Sequence, residues 1–180
     1  MLPLDSPQMP AASPWPLQEL TRCHVLLDRH CHALERLQRY LPEYRNDEAA
    51  REVAHGALRY FSTAARHHHE DEELALFPAL LESMAGSDPV CIRELTTTLT
   101  QEHQELDRRW RALHLQLQAL VEGQPVLLGE HEVHDFVSRY RAHIQLEDAE
   151  LLPMARRLLS DAAITHMAHV MHHPRRRSTI

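Results

Sequence analysis

Two stretches of this chain repeat one pattern of ionisable side chains. His68-His69-Glu70-Asp71-Glu72-Glu73-Leu74-Ala75-Leu76-Phe77-Pro78 and His143-Ile144-Gln145-Leu146-Glu147-Asp148-Ala149-Glu150-Leu151-Leu152-Pro153 each start from a histidine. Both then carry acids at +4 and +5, leucine at +8, an apolar residue at +9 and proline at +10. Agreement at all of these offsets marks a duplicated unit. On a helix, residues i and i+4 share a face with Cβ atoms about 5–6 Å apart, so one imidazole and one carboxylate of each unit can reach the same ion.

The neighbouring residues say which side chains face inward. The stripe Phe61, Ala64, Ala65, His68, Glu72, Ala75, Leu76 is apolar except at His68 and Glu72, and Phe136, Tyr140, His143, Glu147, Leu151, Met154 repeats the arrangement. A carboxylate among apolar groups is costly unless it is paired or bound to metal. Two such pairs need a common partner, and two metal ions bridged by carboxylates, about 3.5–4 Å apart, satisfy both. Two further histidines fall inside apolar stripes: His24 among Leu17, Leu20, Leu27, Cys31 and Leu34, and His103 among Leu99, Leu106 and Trp110. Each half of the chain thus reads as a helix with one histidine followed by a helix with His-x-x-x-Glu.

Other candidates compete less well. His69 and Glu73 are also four apart, but the apolar register favours His68 and Glu72. His67, His69, Glu70, Asp71 and Glu73 fall on other faces and are read as solvated or supporting groups. His30 is the runner-up to His24. His131, His134, His166, His169, His172 and His173 have no acid in register. Ferritin-like di-iron bundles use Glu-x-x-His on two helices, and Glu52 to His55 has no second copy; His131-Glu132-Val133-His134 lacks the spacing of a zinc protease.

The elements that must position these groups are long helices. Apolar periodicity predicts helix one from Leu17 to about Leu41, stopped by Pro42, and helix two from Glu48 through Pro78 to about Met84, with a break at Gly86-Ser87-Asp88-Pro89. Helix three is expected from Val90 to Val121, ended by Gly123-Gln124-Pro125, and helix four from Gly129 to Leu159. A short fifth helix follows from Ala162 to His172. The expected architecture is an all-α, up-down-up-down four-helix bundle over residues 17–172, with an irregular proline-rich arm at 1–16 and a basic tail at 173–180.

Composition agrees. There are 180 residues, enough for one core, with four glycines and 5% aromatics, while sixteen histidines stand out. A formal charge of −7 argues against nucleic acid or anionic membrane as partner. Cys23, Cys31 and Cys91 form no C-x-x-C pair, as in a cytoplasmic protein with reduced thiols. No membrane span or secretory signal is read.

From about Leu17 to Leu159 the chain resembles the hemerythrin-like, HHE cation-binding family. The segment His68-x-x-x-Glu72-Glu73-x-x-Leu76-Phe77-Pro78 is similar to that family's signature, and His143 begins its counterpart. The resemblance implies two non-haem iron ions, joined by an oxo or hydroxo bridge, with His24, His68, His103 and His143 as ligands and Glu72 and Glu147 bridging. It implies a protein that binds or senses oxygen, nitric oxide or peroxide, or serves iron handling and stress response. The competing class is a di-iron peroxidase or nitric-oxide-consuming enzyme, with Tyr140 as the phenol near the centre. Oxygen-carrying hemerythrins have a second histidine one turn after the helix-three ligand. Here that position is Asp107, which could bind iron, accept a hydrogen bond from a ligand, or face water.

Overall fold

The computed structural model describes residues 16–83 and 89–172. The expected arm, apart from Pro16, and the basic tail lie outside the described residues, as does most of the Gly86–Pro89 break. Every regular element described is helical. Helix α1 spans Pro16–Tyr44, so Pro16 opens the helix rather than closing the arm. Leu17, Leu20, Leu27, Cys31, Leu34, Leu37 and Leu41 are buried along one stripe at helical spacing. Pro42 does not stop the helix as expected; it lies in the last turn, where the missing N–H forfeits one bond. The chain turns at Arg45, whose φ of 61° is left-handed and whose N–H donates to the Leu41 carbonyl at 2.9 Å.

Helix α2, Glu48–Ser62, starts at Asp47, whose carboxylate accepts the Ala50 N–H at 2.9 Å and the Tyr40 hydroxyl at 2.6 Å. Sequence periodicity suggests one rod through Pro78, but the structure is segmented. Thr63, at φ −127° and ψ −76°, interrupts it before α3, Ala64–Asp71. The interruption shifts the register, so Ala64 is exposed and Ala65 carries the buried stripe.

A π-helical turn, Glu72–Leu76, follows and leads into α4, Phe77–Glu82. Its cause is Pro78: in a regular α-helix the pyrrolidine ring would meet the carbonyl four residues back and offer it no N–H. The backbone widens by one residue, and Phe77 N–H donates to the Glu72 carbonyl five positions back. The second unit repeats this. After α6, Glu130–Leu146, a π turn at Glu147–Leu151 precedes Pro153, with Leu152 N–H on the Glu147 carbonyl, and α7 runs Leu152–Leu158.

Between these arms lies α5, Pro89–Val121, which ends where Gly123 takes φ 83° and Gln124 N–H reaches back to the Ala119 carbonyl at 2.9 Å. Helix α8, Asp161–His172, comes last and packs on α1 and the first π turn, burying Ile164 and Met167. Helix α1 packs against α2 and α6, and α5 packs against the same two, closing a ring around a shared interior.

That interior is divided. One apolar cluster holds Leu27, Phe61, Ala65, Leu106, Trp110, Phe136 and Tyr140; the other holds Leu20, Ala75, Leu76, Leu99 and Leu151. On each wall the change from one cluster to the other falls at a polar residue or pair: His24, His68 with Glu72, His103, and His143 with Glu147. A single ionisable layer is therefore sandwiched between two hydrocarbon floors.

Candidate metal centre

All six sequence-predicted site residues meet in this layer, each at most 4% exposed. Their ring Nε2 atoms converge on the two carboxylates. His24 Nε2 lies 3.1 Å and His143 Nε2 3.0 Å from Glu147 oxygens. His68 Nε2 is 3.5 Å and His103 Nε2 3.4 Å from the two oxygens of Glu72. The ligand atoms fall into two overlapping groups, His24, His68, Glu72, Glu147 and Glu72, His103, His143, Glu147, each with its atoms within 4.8 Å of one another. Each group combines two imidazoles from one half of the chain with one carboxylate from each half.

The opposite edges of the rings explain why Nε2 faces inward. His24 Nδ1–H donates to Asp148 at 2.8 Å, His103 Nδ1–H to Glu73 at 2.7 Å and His143 Nδ1–H to Glu102 at 2.8 Å. A proton committed to Nδ1 leaves the lone pair on Nε2, which is how carboxylates orient metal-binding imidazoles. The +5 acids of the repeat thereby acquire a role: Glu73 of the first unit steadies a histidine of the second half, and Asp148 of the second unit steadies one of the first.

The first half lacks the third brace. The residue before His103 is Glu102, whereas the residue before His24 is Cys23. His68 Nδ1 correspondingly has no hydrogen-bond partner.

Hydrogen bonds do not satisfy the centre of the layer. His24 Nε2, His68 Nε2, both oxygens of Glu72 and both oxygens of Glu147 are buried without a hydrogen bond of good geometry, even where His24 and His143 approach Glu147 within ion-pair distance. Buried carboxylate oxygens left in this condition are expensive. Divalent cations among four imidazole lone pairs and two carboxylates would satisfy every one of them, so the donor set fits metal.

The protonation pattern of the protein alone follows from the same geometry. Burial, reinforced by the charge of Glu147, pushes the Glu72 carboxyl well above the ordinary carboxylate range. Burial would raise Glu147 too, but His143, His103 and His24 outweigh it and hold that carboxyl well below the ordinary range. Burial opposes the charged forms of His24 and His143, yet their acidic partners prevail: His24 is raised and His143 reaches about 9. His68, dominated by burial, falls to about 3. Protons thus occupy part of the space that cations would take, and metal uptake must expel them.

The remaining candidates are sorted by position. Asp107 pairs with Arg111 at the helix surface and belongs to none of the ligand groups. His30 stacks on Tyr60 with ring centroids 3.9 Å apart, away from the layer, and His32 bonds to the Asp28 carbonyl. His69 differs from its expected solvated neighbours. Its ring stacks on His103 at 4.0 Å, its Nε2 lies 3.1 Å from the Tyr140 hydroxyl, and it forms a third potential ligand group with His103 and His143. Burial, followed by His103, holds it well below the ordinary histidine range. Cys23, Cys31 and Cys91 are all unpaired, and burial pushes the Cys31 thiol up to about 12.

A ring of helices around a buried layer of four histidines and two glutamates, repeated in two halves, defines a cation-binding helical domain. The hemerythrin HHE cation-binding domain matches residues 16–155. An uncharacterized protein of Haemophilus influenzae (strain ATCC 51907 / DSM 11121 / KW20 / Rd) is 34% identical over 165 residues, covering 92% of each chain. This chain belongs to the hemerythrin HHE cation-binding family. Among the described residues no helix is long and apolar enough to cross a membrane.

Proposed function

We propose that the chain is an up-down-up-down four-helix bundle holding two non-haem iron ions, and that it binds or senses a small ligand such as oxygen, nitric oxide or peroxide. The observation that carries this reading is the pair of fully buried carboxylates, whose four oxygens lack hydrogen bonds of good geometry and are shared between two sets of inward-facing imidazoles. His24 and His68 would hold one ion, His103 and His143 the other, with Glu72 and Glu147 common to both. Two imidazoles and two shared carboxylate oxygens per ion leave coordination positions for an outside ligand, and imidazole with carboxylate suits both common oxidation states of iron.

Bound iron supplies a redox couple and a Lewis-acidic centre for such ligands. The chain's own groups do the rest. Asp148, Glu73 and Glu102 fix three rings through Nδ1. The two apolar clusters exclude bulk water from above and below, which strengthens every interaction within the layer. Tyr140, fully buried and hydrogen-bonded to His69, keeps its phenol proton because burial pushes it well above the ordinary range.

Elemental analysis of iron-supplied protein tests the reading directly, with two irons per chain expected. Mössbauer and optical spectra of the anaerobically reduced protein before and after oxygen then separate the roles. A reversible change supports binding or sensing. Irreversible oxidation, or turnover of peroxide or nitric oxide, would place the protein with di-iron enzymes instead.

A further inference from the structure

The ionisable layer is closed above and below by hydrocarbon and bounded at three ring edges by carboxylates, so a ligand needs a way through the wall. A cleft of ≈ 570 Å³ is lined from α3 and α5 by Arg66, His69, His103, Gln104 and Asp107, and from the end of α2 by Ser62. Next to it lies a cavity of ≈ 20 Å³ walled by Phe61, Leu106, Trp110, Phe136 and Tyr140. That volume exceeds the roughly 10–15 Å³ needed for one water-sized guest. Arg66, His69, Asp107 and Trp110 line both spaces, so the two adjoin.

His69 lines both spaces and lies against His103, the proposed ligand at the cleft's inner wall. Its ring lies parallel to His103, at an interplanar angle of 8°. An imidazole binds an ion best in its own ring plane, and two parallel planes 4.0 Å apart cannot both contain the same ion. In this conformation His69 is therefore beside the ligand set rather than within it. It is held by the close stack on His103, looser ring contacts with Tyr140, His143 and His68, and one hydrogen bond to Tyr140, contacts that a side-chain rotation breaks.

We propose that a diatomic or linear triatomic ligand reaches the centre through the α3–α5 cleft, and that His69 is the side chain that swings aside to admit it. This rests on the dinuclear iron reading above. A residue that acts purely as a gate changes the barrier for arrival and departure alike, leaving the dissociation constant fixed. A residue that bonds the bound ligand changes the dissociation constant.

The test uses oxidised, iron-loaded full-length protein with azide as probe, following association and dissociation optically by stopped flow, after iron content has been measured for each variant. His69→Ala should speed both rate constants by the same factor, about tenfold for removal of one hydrogen bond and one ring stack. Gln104→Trp, at an exposed position of the cleft, should slow both without touching the fold or the iron. Wild-type chains that take up no iron overturn both readings. Iron-loaded variants whose azide rates match wild type overturn the access route alone. So does a His69→Ala protein that loses iron, which would make His69 a ligand, or one that changes the dissociation constant rather than the paired rates.

Discussion

Glu72 and Glu147 look interchangeable in the repeat, yet the metal-free protein should tell them apart. The imidazoles of His143 and His24, 3.0–3.1 Å away, hold Glu147 well below the ordinary carboxylate range and favour its ionised form, whereas burial and Glu147 push Glu72 well above that range and favour its protonated form. Glu147→Gln removes the buried carboxylate of a charged set and leaves His24 and His143 only their partly exposed partners Asp148 and Glu102, a loss of about 3–5 kcal/mol. Glu72→Gln exchanges a neutral carboxyl for a neutral amide of the same shape, costing about 1 kcal/mol or less. In a chain of this length each kcal/mol moves the melting temperature by about 2–4 °C. Circular dichroism melts of chelator-treated protein at pH 7 should therefore show a drop of roughly 6–20 °C for Glu147→Gln and at most about 4 °C for Glu72→Gln. Both variants should nevertheless fail to hold two irons by elemental analysis, since each loses a carboxylate common to both potential ligand groups. Equal drops would refute the assignment of the proton, and wild-type iron content in either variant would refute the bridging role.

Three further outcomes follow from the same layer. Asp148→Asn should weaken iron binding about tenfold in a chelator competition, the low end for loss of a group that orients a ligand, because Asp148 is half exposed; Glu105→Gln, at a residue paired with Arg108 and Arg109 away from the layer, should leave iron binding unchanged. His143 is raised from 6.5 to about 9, so its contribution to the metal-free protein is present below pH 6.5 and lost as pH rises through 9. That loss, about 3 kcal/mol, should appear as a falling melting temperature over this window, flattened in His143→Gln. Finally, His68 lacks an acidic brace and His69 stacks on His103 of the second group, so the two irons of the proposed centre should give two resolved Mössbauer doublets rather than one.

The inward-facing residues were legible because a buried histidine or glutamate in an apolar stripe contradicts its surroundings, and helical spacing then fixes its face. His24, between Leu20 and Leu27, shows this most simply. Four features escaped. Thr63 carries no proline or glycine signal, so the interruption there, and the exposure of Ala64, could not be read from periodicity. The π turns have a signal in the repeat itself: proline at +10 obliges the backbone to widen in the turns that begin at Glu72 and Glu147. The braces were legible only in part, since the +5 acid belongs to the repeat, but its partner lies 124 residues away for Asp148 and 30 for Glu73. Similarly, nothing in local spacing tells that His69 lies against His103 rather than facing water.

The crossed bracing bears on how the protein matures. Because Asp148 serves His24 and Glu73 serves His103, neither half of the chain can orient its full complement of rings before the other has docked. Tight metal binding would then come late in folding, after the halves have met. A chain emerging from the ribosome would be spared premature metallation until its final long helix had been made.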